Sequence, residues 1–135
     1  IVTFLVLTKG NESMNALVVD DSAVMRKVLI GALGRAGISD VDQAADGQEA
    51  VAATTAKDYN LVLMDWNMPN MLGIDAVRTI RANGKTMPII MVTTEAEKSR
   101  VIDALKAGAQ NYVIKPFEPA TIVNKIQEVL AKAAG

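Results

Sequence analysis

Short apolar runs alternate along this chain with segments of helical period, and four of those runs stop on polar residues. Leu17-Val18-Val19 stops on Asp20-Asp21, and Leu61-Val62-Leu63-Met64 stops on Asp65. Ile89-Ile90-Met91-Val92 stops on Thr93-Thr94, and Tyr112-Val113-Ile114 stops on Lys115-Pro116. Apolar runs this short read as buried strands. Strands alternating with helices imply a parallel sheet, right-handed crossovers and helices over both faces. All strand ends of one kind then share one edge. Three carboxylates, a hydroxyl and an ammonium meet there, in the crevice where open α/β sheets take their ligands.

The periodicities predict strands over 15–20, 41–45, 60–65, 88–93 and 111–115. Ser22 is the expected N-cap of a first helix whose Met25, Val28, Leu29, Ala32, Leu33 and Ala36 recur at helical spacing, with Gly37 as its stop. Further helices are expected over 47–57, 74–82 and 95–107, the last with Gly108 past its end. Pro119 opens a final helix whose Ile122, Val123, Ile126, Val129 and Leu130 form one stripe. Five strands and five helices fill one domain over 14–135. Residues 1–13 stand apart: an apolar run, Ile1 to Thr8, then Lys9-Gly10-Asn11-Glu12-Ser13. They read as an upstream or cloning-derived extension without stable order, with Met14 as the natural start; an extra edge strand is the alternative. The run lacks the basic start of a signal peptide and is too short to span a bilayer.

Composition narrows the chemistry. A formal charge of −1, with no Lys/Arg-rich block, points away from nucleic acid. The absence of cysteine excludes disulfides and thiol chemistry and fits a cytoplasmic protein. The absence of histidine removes the imidazole base, the imidazole metal ligand and any phosphohistidine of the chain's own. A bound metal must sit on oxygen, which favours Mg²⁺, Ca²⁺ or Mn²⁺.

Each strand-end residue has a plain structural reading beside a chemical one. One of Asp20 and Asp21 can cap the following helix, but two adjacent carboxylates repel unless a cation neutralises them. Asp65 alone would be an ordinary turn residue; aligned with the other strand ends it can attack phosphorus and form an aspartyl phosphate. Thr93 can bond its own turn or donate to a phosphoryl oxygen. Lys115 can be a solvated lysine or the charge opposite a phosphoryl group, and Pro116 permits a cis peptide that would aim it inward. Tyr112, read from its strand, is a packing residue.

At these residues the chain resembles the receiver domain of two-component response regulators, above all the single-domain chemotaxis members. The likeness rests on Leu17-Val18-Val19-Asp20-Asp21-Ser22, Asp65-Trp66-Asn67-Met68-Pro69-Asn70-Met71, Met91-Val92-Thr93 and Lys115-Pro116-Phe117, in family order. It implies a flavodoxin-like (βα)5 fold with strand order 2-1-3-4-5. It makes Asp65 the phosphorylated aspartate, with Asp21 and Asp65 as direct Mg²⁺ ligands, Asp20 acting mainly through water, and Asn67 giving its backbone carbonyl. Thr93 and Lys115 become the switch hydroxyl and phosphate-binding lysine, and Tyr112 the switch aromatic. Asn67 and Glu95 fall where the family tunes dephosphorylation. Family members commonly carry Asp-Gly where this chain has Leu72-Gly73.

The implied function is a switch, not an enzyme in its own right. A histidine kinase donates the phosphoryl group, a phosphatase is a further possible partner, and the output is binding of another protein. The flagellar motor switch is the expected target, through a face around Ala96, Lys98, Tyr112 and Lys125. A phosphate sink or relay without motor contact is the alternative. An aspartyl-phosphate phosphatase is more remote, because the second acid expected two residues after its nucleophile is here Asn67. A flavin carrier shares such a fold, but this chain has no Ser/Thr/Gly-rich phosphate loop after the first strand, and Asp20-Asp21 would repel a phosphate there.

Overall fold

The computed structural model describes residues 14–134, so both readings of residues 1–13 lie outside the described residues. Five parallel strands form one sheet: β1 (Asn15–Val19), β2 (Asp40–Ala44), β3 (Leu61–Met64), β4 (Ile89–Thr93) and β5 (Asn111–Ile114). Their spatial order is β2-β1-β3-β4-β5, as the resemblance implied. The helices between and after them are α1 (Ala23–Arg35), α2 (Gly47–Ala56), α3 (Gly73–Ala82), α4 (Lys98–Ala107) and α5 (Pro119–Ala134).

Alternate residues of the buried strands feed two cores. Leu17, Val19, Val62, Met64, Ile89 and Met91 pack on one face with Ala50 of α2, Val77 and Ile80 of α3 and Ala104 of α4. Ala16, Val18, Leu61, Leu63, Ile90 and Val92 pack on the other with Leu29 and Leu33 of α1 and Ile122 and Ile126 of α5. Burial on both faces is why the strands read as continuous apolar runs rather than alternating ones.

β4 ends at Thr93 as expected, whereas the other four strands stop one residue short of their expected ends at the site edge, and for β1, β3 and β5 the hydrogen bonds explain it. Asp20 donates its N–H to Ala44 O at 3.1 Å, Asp65 to Val19 O at 2.9 Å and Lys115 to Thr93 O at 2.9 Å. Each is thus held to the neighbouring strand by its amide, while the chain turns away immediately after it.

Helix ends largely follow their expected signals. Ser22 Oγ accepts from Met25 N at 3.2 Å, and Gly108 closes α4 in the left-handed region at φ 119°. Two differences matter. Helix α4 starts at Lys98 rather than Glu95, so Glu95 and Ala96 belong to the loop after β4. The Glu95 backbone is engaged elsewhere: its N–H donates to Thr93 Oγ1 at 3.2 Å and its carbonyl accepts from Tyr112 Oη at 2.6 Å. Leu72 occupies the N-cap of α3 and gives no side-chain hydrogen bond, where an aspartate side chain could accept one. Gly73 is kept for steric reasons, since a Cβ there would lie 1.7 Å from the Asp65 carbonyl oxygen.

Candidate functional site

Three carboxylates meet beyond the adjacent ends of β1 and β3. Asp20, Asp21 and Asp65 each offer an oxygen within 4.8 Å of the others. Lys115, carried in from the end of β5 just before a cis Lys115–Pro116 peptide, completes the cluster. Its Nζ lies 2.6 Å from Asp20 Oδ2 and 3.4 Å from Asp65 Oδ2.

The three carboxylates are not equivalent. Asp20 is 1 % exposed and fully engaged: Oδ1 accepts from Ser22 N at 2.9 Å and Oδ2 from Lys115. Asp21 is exposed and forms no ion pair among the described residues. Asp65 is buried, with Oδ1 accepting from Trp66 N at 2.7 Å. Burial pushes the Asp65 carboxyl above the ordinary range; Lys115 pulls it down, and Asp20 pushes it up again. The cluster therefore holds more negative charge than its one ammonium offsets.

That excess is what an oxygen-liganded dication relieves, and the donor set fits one. Asp65 and exposed Asp21 supply carboxylate oxygens, and the Asn67 carbonyl accepts no hydrogen bond among the described residues. Hard oxygen donors, with no imidazole or thiolate anywhere in the chain, match Mg²⁺ and not zinc.

Thr93 is fully buried at the end of β4, its hydroxyl near enough to lower the Asp65 carboxyl. Tyr112 is half-buried, and burial together with the Glu95 charge pushes its phenol up to about 12, so it stays a proton donor to Glu95 O. Glu95 thus ties Thr93 to Tyr112 through its own backbone. Its side chain closes the mouth: Oε2 accepts from Asn67 Nδ2 at 2.7 Å, and Oε1 lies 3.7 Å from Arg100 Nε. Arg100 stacks over Trp66 at 5.4 Å from the ring centroid.

Of the residues proposed for a partner, Ala96 in the loop after β4 and Lys98 at the start of α4 are exposed, while Tyr112 and Lys125 are half-buried on β5 and α5. Both helices pack on β5, the edge strand that carries Tyr112. Sequence reasoning did not single out Asp46, whose carboxylate lies against Asn70 in the loop after Asp65. The Asp46-x-x-Glu49 spacing of a capping box was its available signal, although Glu49 Oε1 accepts from Ala45 N, one residue before the cap, at 2.9 Å.

Comparison with known proteins gives one answer throughout. The family model described as response regulator receiver domain matches residues 16–127. A chemotaxis protein CheY homologue of Campylobacter jejuni is 46 % identical over 125 residues, 90 % of this chain and 96 % of the relative. The structure of CheY4 of Vibrio cholerae superposes with a TM-score of 0.80 at 34 % identity, covering 87 % of this chain and 99 % of that one. CheY of Borrelia burgdorferi, in its complex with CheX, BeF3 and Mg²⁺, gives 0.82 at 31 % identity, covering 86 % and 88 %.

Proposed function

The chain belongs to the response regulator receiver domain family, phosphorylation-dependent signalling switches of the CheY type, and from that premise we propose that Asp65 is its phosphoacceptor, charged by a histidine kinase. The observation that supports this most is the convergence of Asp65, Asp20, Asp21 and Lys115 from three strand ends within a few ångströms.

The transfer is balanced by the donor. An Asp65 carboxylate oxygen attacks the phosphorus of a phosphohistidine; the new O–P bond forms as the N–P bond breaks, and the imidazole keeps the electron pair. Asp21, Asp65 and the Asn67 carbonyl would hold Mg²⁺, with Asp20, already bound to Lys115, acting at one remove. The ion supplies charge neutralisation for the transferring phosphoryl oxygens. Trp66 N–H fixes one Asp65 oxygen, and buried Asp20 keeps the Lys115 ammonium aimed at the crevice.

Reading of the phosphate follows from the same contacts. A phosphoryl group on Asp65 competes for the Thr93 hydroxyl and the Lys115 ammonium. When Thr93 turns toward it, Glu95 N loses its acceptor, and the loop carrying Ala96 and the start of α4 is released. Tyr112, bonded to the same residue, changes place with it. The face flanking β5 is then altered for a partner, proposed to be the flagellar motor switch in a cytoplasmic chemotaxis pathway.

The test uses a small phosphodonor with Mg²⁺. Wild-type protein should take up one phosphoryl group and Asp65→Asn none, and equal uptake by both would sink the assignment. Pull-down of motor switch protein with and without phosphodonor separates a motor regulator from a phosphate sink, which would show no phosphorylation-dependent binding.

A further inference from the structure

The loop that carries Asn67 is held at its far end by residues that belong to neither the metal site nor the partner face. Asn70 is the only non-glycine residue in the left-handed region among the described residues, at φ 68°. Its Nδ2 donates to Asp46 Oδ2 at 2.6 Å. Asp46 is the N-cap of α2, 6 % exposed, and its other oxygen accepts from Glu49 N at 2.8 Å. Those bonds, Glu49 first and Asn70 second, hold the Asp46 carboxyl below the ordinary range. One residue on, Gly47 N donates to Met71 O at 3.2 Å, and a Cβ at Gly47 would lie 2.6 Å from that same oxygen. The loop and the start of α2 are thus clamped side chain to side chain and backbone to backbone.

The same turn also places the first strand's carboxylates. Ala44 O, two residues before Asp46, accepts from Asp20 N at 3.1 Å. A single short segment, residues 44–47, therefore references both halves of the donor set: Asp20-Asp21 through a backbone bond, and the Asn67 loop through Asp46 and Gly47.

We propose that Asp46 and Asn70 are positioning residues for the metal site, a charge-assisted pair that fixes the Asn67 carbonyl relative to Asp20 and Asp21. The proposal rests on the reading of that cluster as a Mg²⁺ site. Outer contacts of this kind commonly change metal affinity without touching the metal.

Two substitutions separate positioning from folding. Asp46→Ser keeps a capping oxygen for α2 but cannot reach Asn70. Asn70→Gly keeps the left-handed backbone without strain and deletes the side-chain bond. Mg²⁺ is titrated into each while following fluorescence of Trp66, the chain's single tryptophan, which is 3 % exposed beside Asp65. Each variant should bind Mg²⁺ about 10-fold more weakly. The double variant should bind no more weakly than either single, because both remove one interaction. Urea midpoints measured in EDTA check that the variants remain folded. Wild-type affinity in both single variants, or a double loss that is the product of the two, overturns the proposal. If the wild-type protein itself shows no saturable response to Mg²⁺, the reading of the cluster fails and the proposal with it.

Discussion

Replacing Lys115 by methionine tests the charge balance of the site most directly. The ammonium lies 2.6 Å from Asp20 and 3.4 Å from Asp65, with 12 % of its side chain exposed. At an effective dielectric of about 20 those distances correspond to gross attractions of about 6 and about 5 kcal/mol. Against them stands the repulsion of Asp20 and Asp65, at least about 3 kcal/mol for oxygens no more than 4.8 Å apart. Most of the attraction offsets desolvation, so the net pair is worth far less, but deleting one partner leaves two buried carboxylates without their cation. Such deletions cost about 3–5 kcal/mol, and the lower end applies because the freed carboxylates can take up a proton.

Lys115→Met should therefore lower stability in EDTA by about 3 kcal/mol, or roughly 10 °C in Tm for a domain of this size. Magnesium should reverse about half of that loss. On the proposed reading the ion and the lysine share the Asp65 carboxylate, and Asp20 stands beside both, so the variant should bind Mg²⁺ more tightly, by about 10-fold. Saturating ion then stabilises it by about 1.4 kcal/mol more than it stabilises the wild type. Urea unfolding followed by circular dichroism, with EDTA and with Mg²⁺, measures both numbers. A solvated lysine would give a change within about 0.5 kcal/mol. A deficit that is large but identical with and without Mg²⁺ would refute the shared-oxygen argument, since the ammonium would then be neutralising something other than the metal donors.

Two further outcomes follow from the same geometry. Asp65 titrates above the ordinary range when folded, so the native state takes up its proton first, and in EDTA this residue's penalty is greatest at neutral pH and fades as pH falls toward about 4. Asp65→Asn should thus exceed wild type in urea stability at pH 7, with the gap closing as pH falls toward about 4; a less stable variant at pH 7 would contradict the dominance of burial. Gly73→Ala places a Cβ 1.7 Å from the Asp65 carbonyl oxygen, a backbone atom that cannot step aside. It should cost about 3 kcal/mol and weaken Mg²⁺ binding as Asp65 shifts, and a urea midpoint equal to wild type would refute the steric reading.

The alternation of apolar runs made the sheet and its site edge legible, because a strand buried on both faces leaves an unbroken apolar signature. Ser22, Gly37 and Gly108 were legible because caps and left-handed stops depend on one residue's own chemistry. The start of α4 was not. Glu95, Ala96 and Glu97 are helix-compatible residues, but Glu95 is held by a hydroxyl two residues back and a phenol 17 residues ahead. Local propensity carries no trace of the second. Asp46 went unnoticed for a similar reason: its capping role is local, while its bond to Asn70 spans 24 residues. Strand ends were over-read by one residue because Asp20, Asp65 and Lys115 keep their amide bonds to the sheet while the chain beyond them leaves it.

The contacts that hold the loop after β4 are weak by comparison with what a phosphoryl group on Asp65 would bring on the proposed reading. Glu95 is fixed by a 3.2 Å bond to Thr93 and a 2.6 Å bond from Tyr112, and α4 begins without a side-chain cap. Neutral hydrogen bonds contribute about 1 kcal/mol each, so this arrangement is favoured over its alternative by about 2 kcal/mol, near 30 to 1. Inverting such a ratio requires a differential of about 4 kcal/mol. Two charge-assisted contacts from Lys115 and Thr93 to a phosphoryl group are of that order, but they leave little surplus. A partner that binds the released face must then supply part of the bias. By linkage, the same partner makes phosphorylation of Asp65 more favourable by the same factor. On the proposed reading, therefore, an output peptide should raise the equilibrium occupancy of phosphodonor analogues at Asp65. Titrating such an analogue with and without the peptide measures that factor, and a factor of one would mean that the loop and the crevice are not coupled.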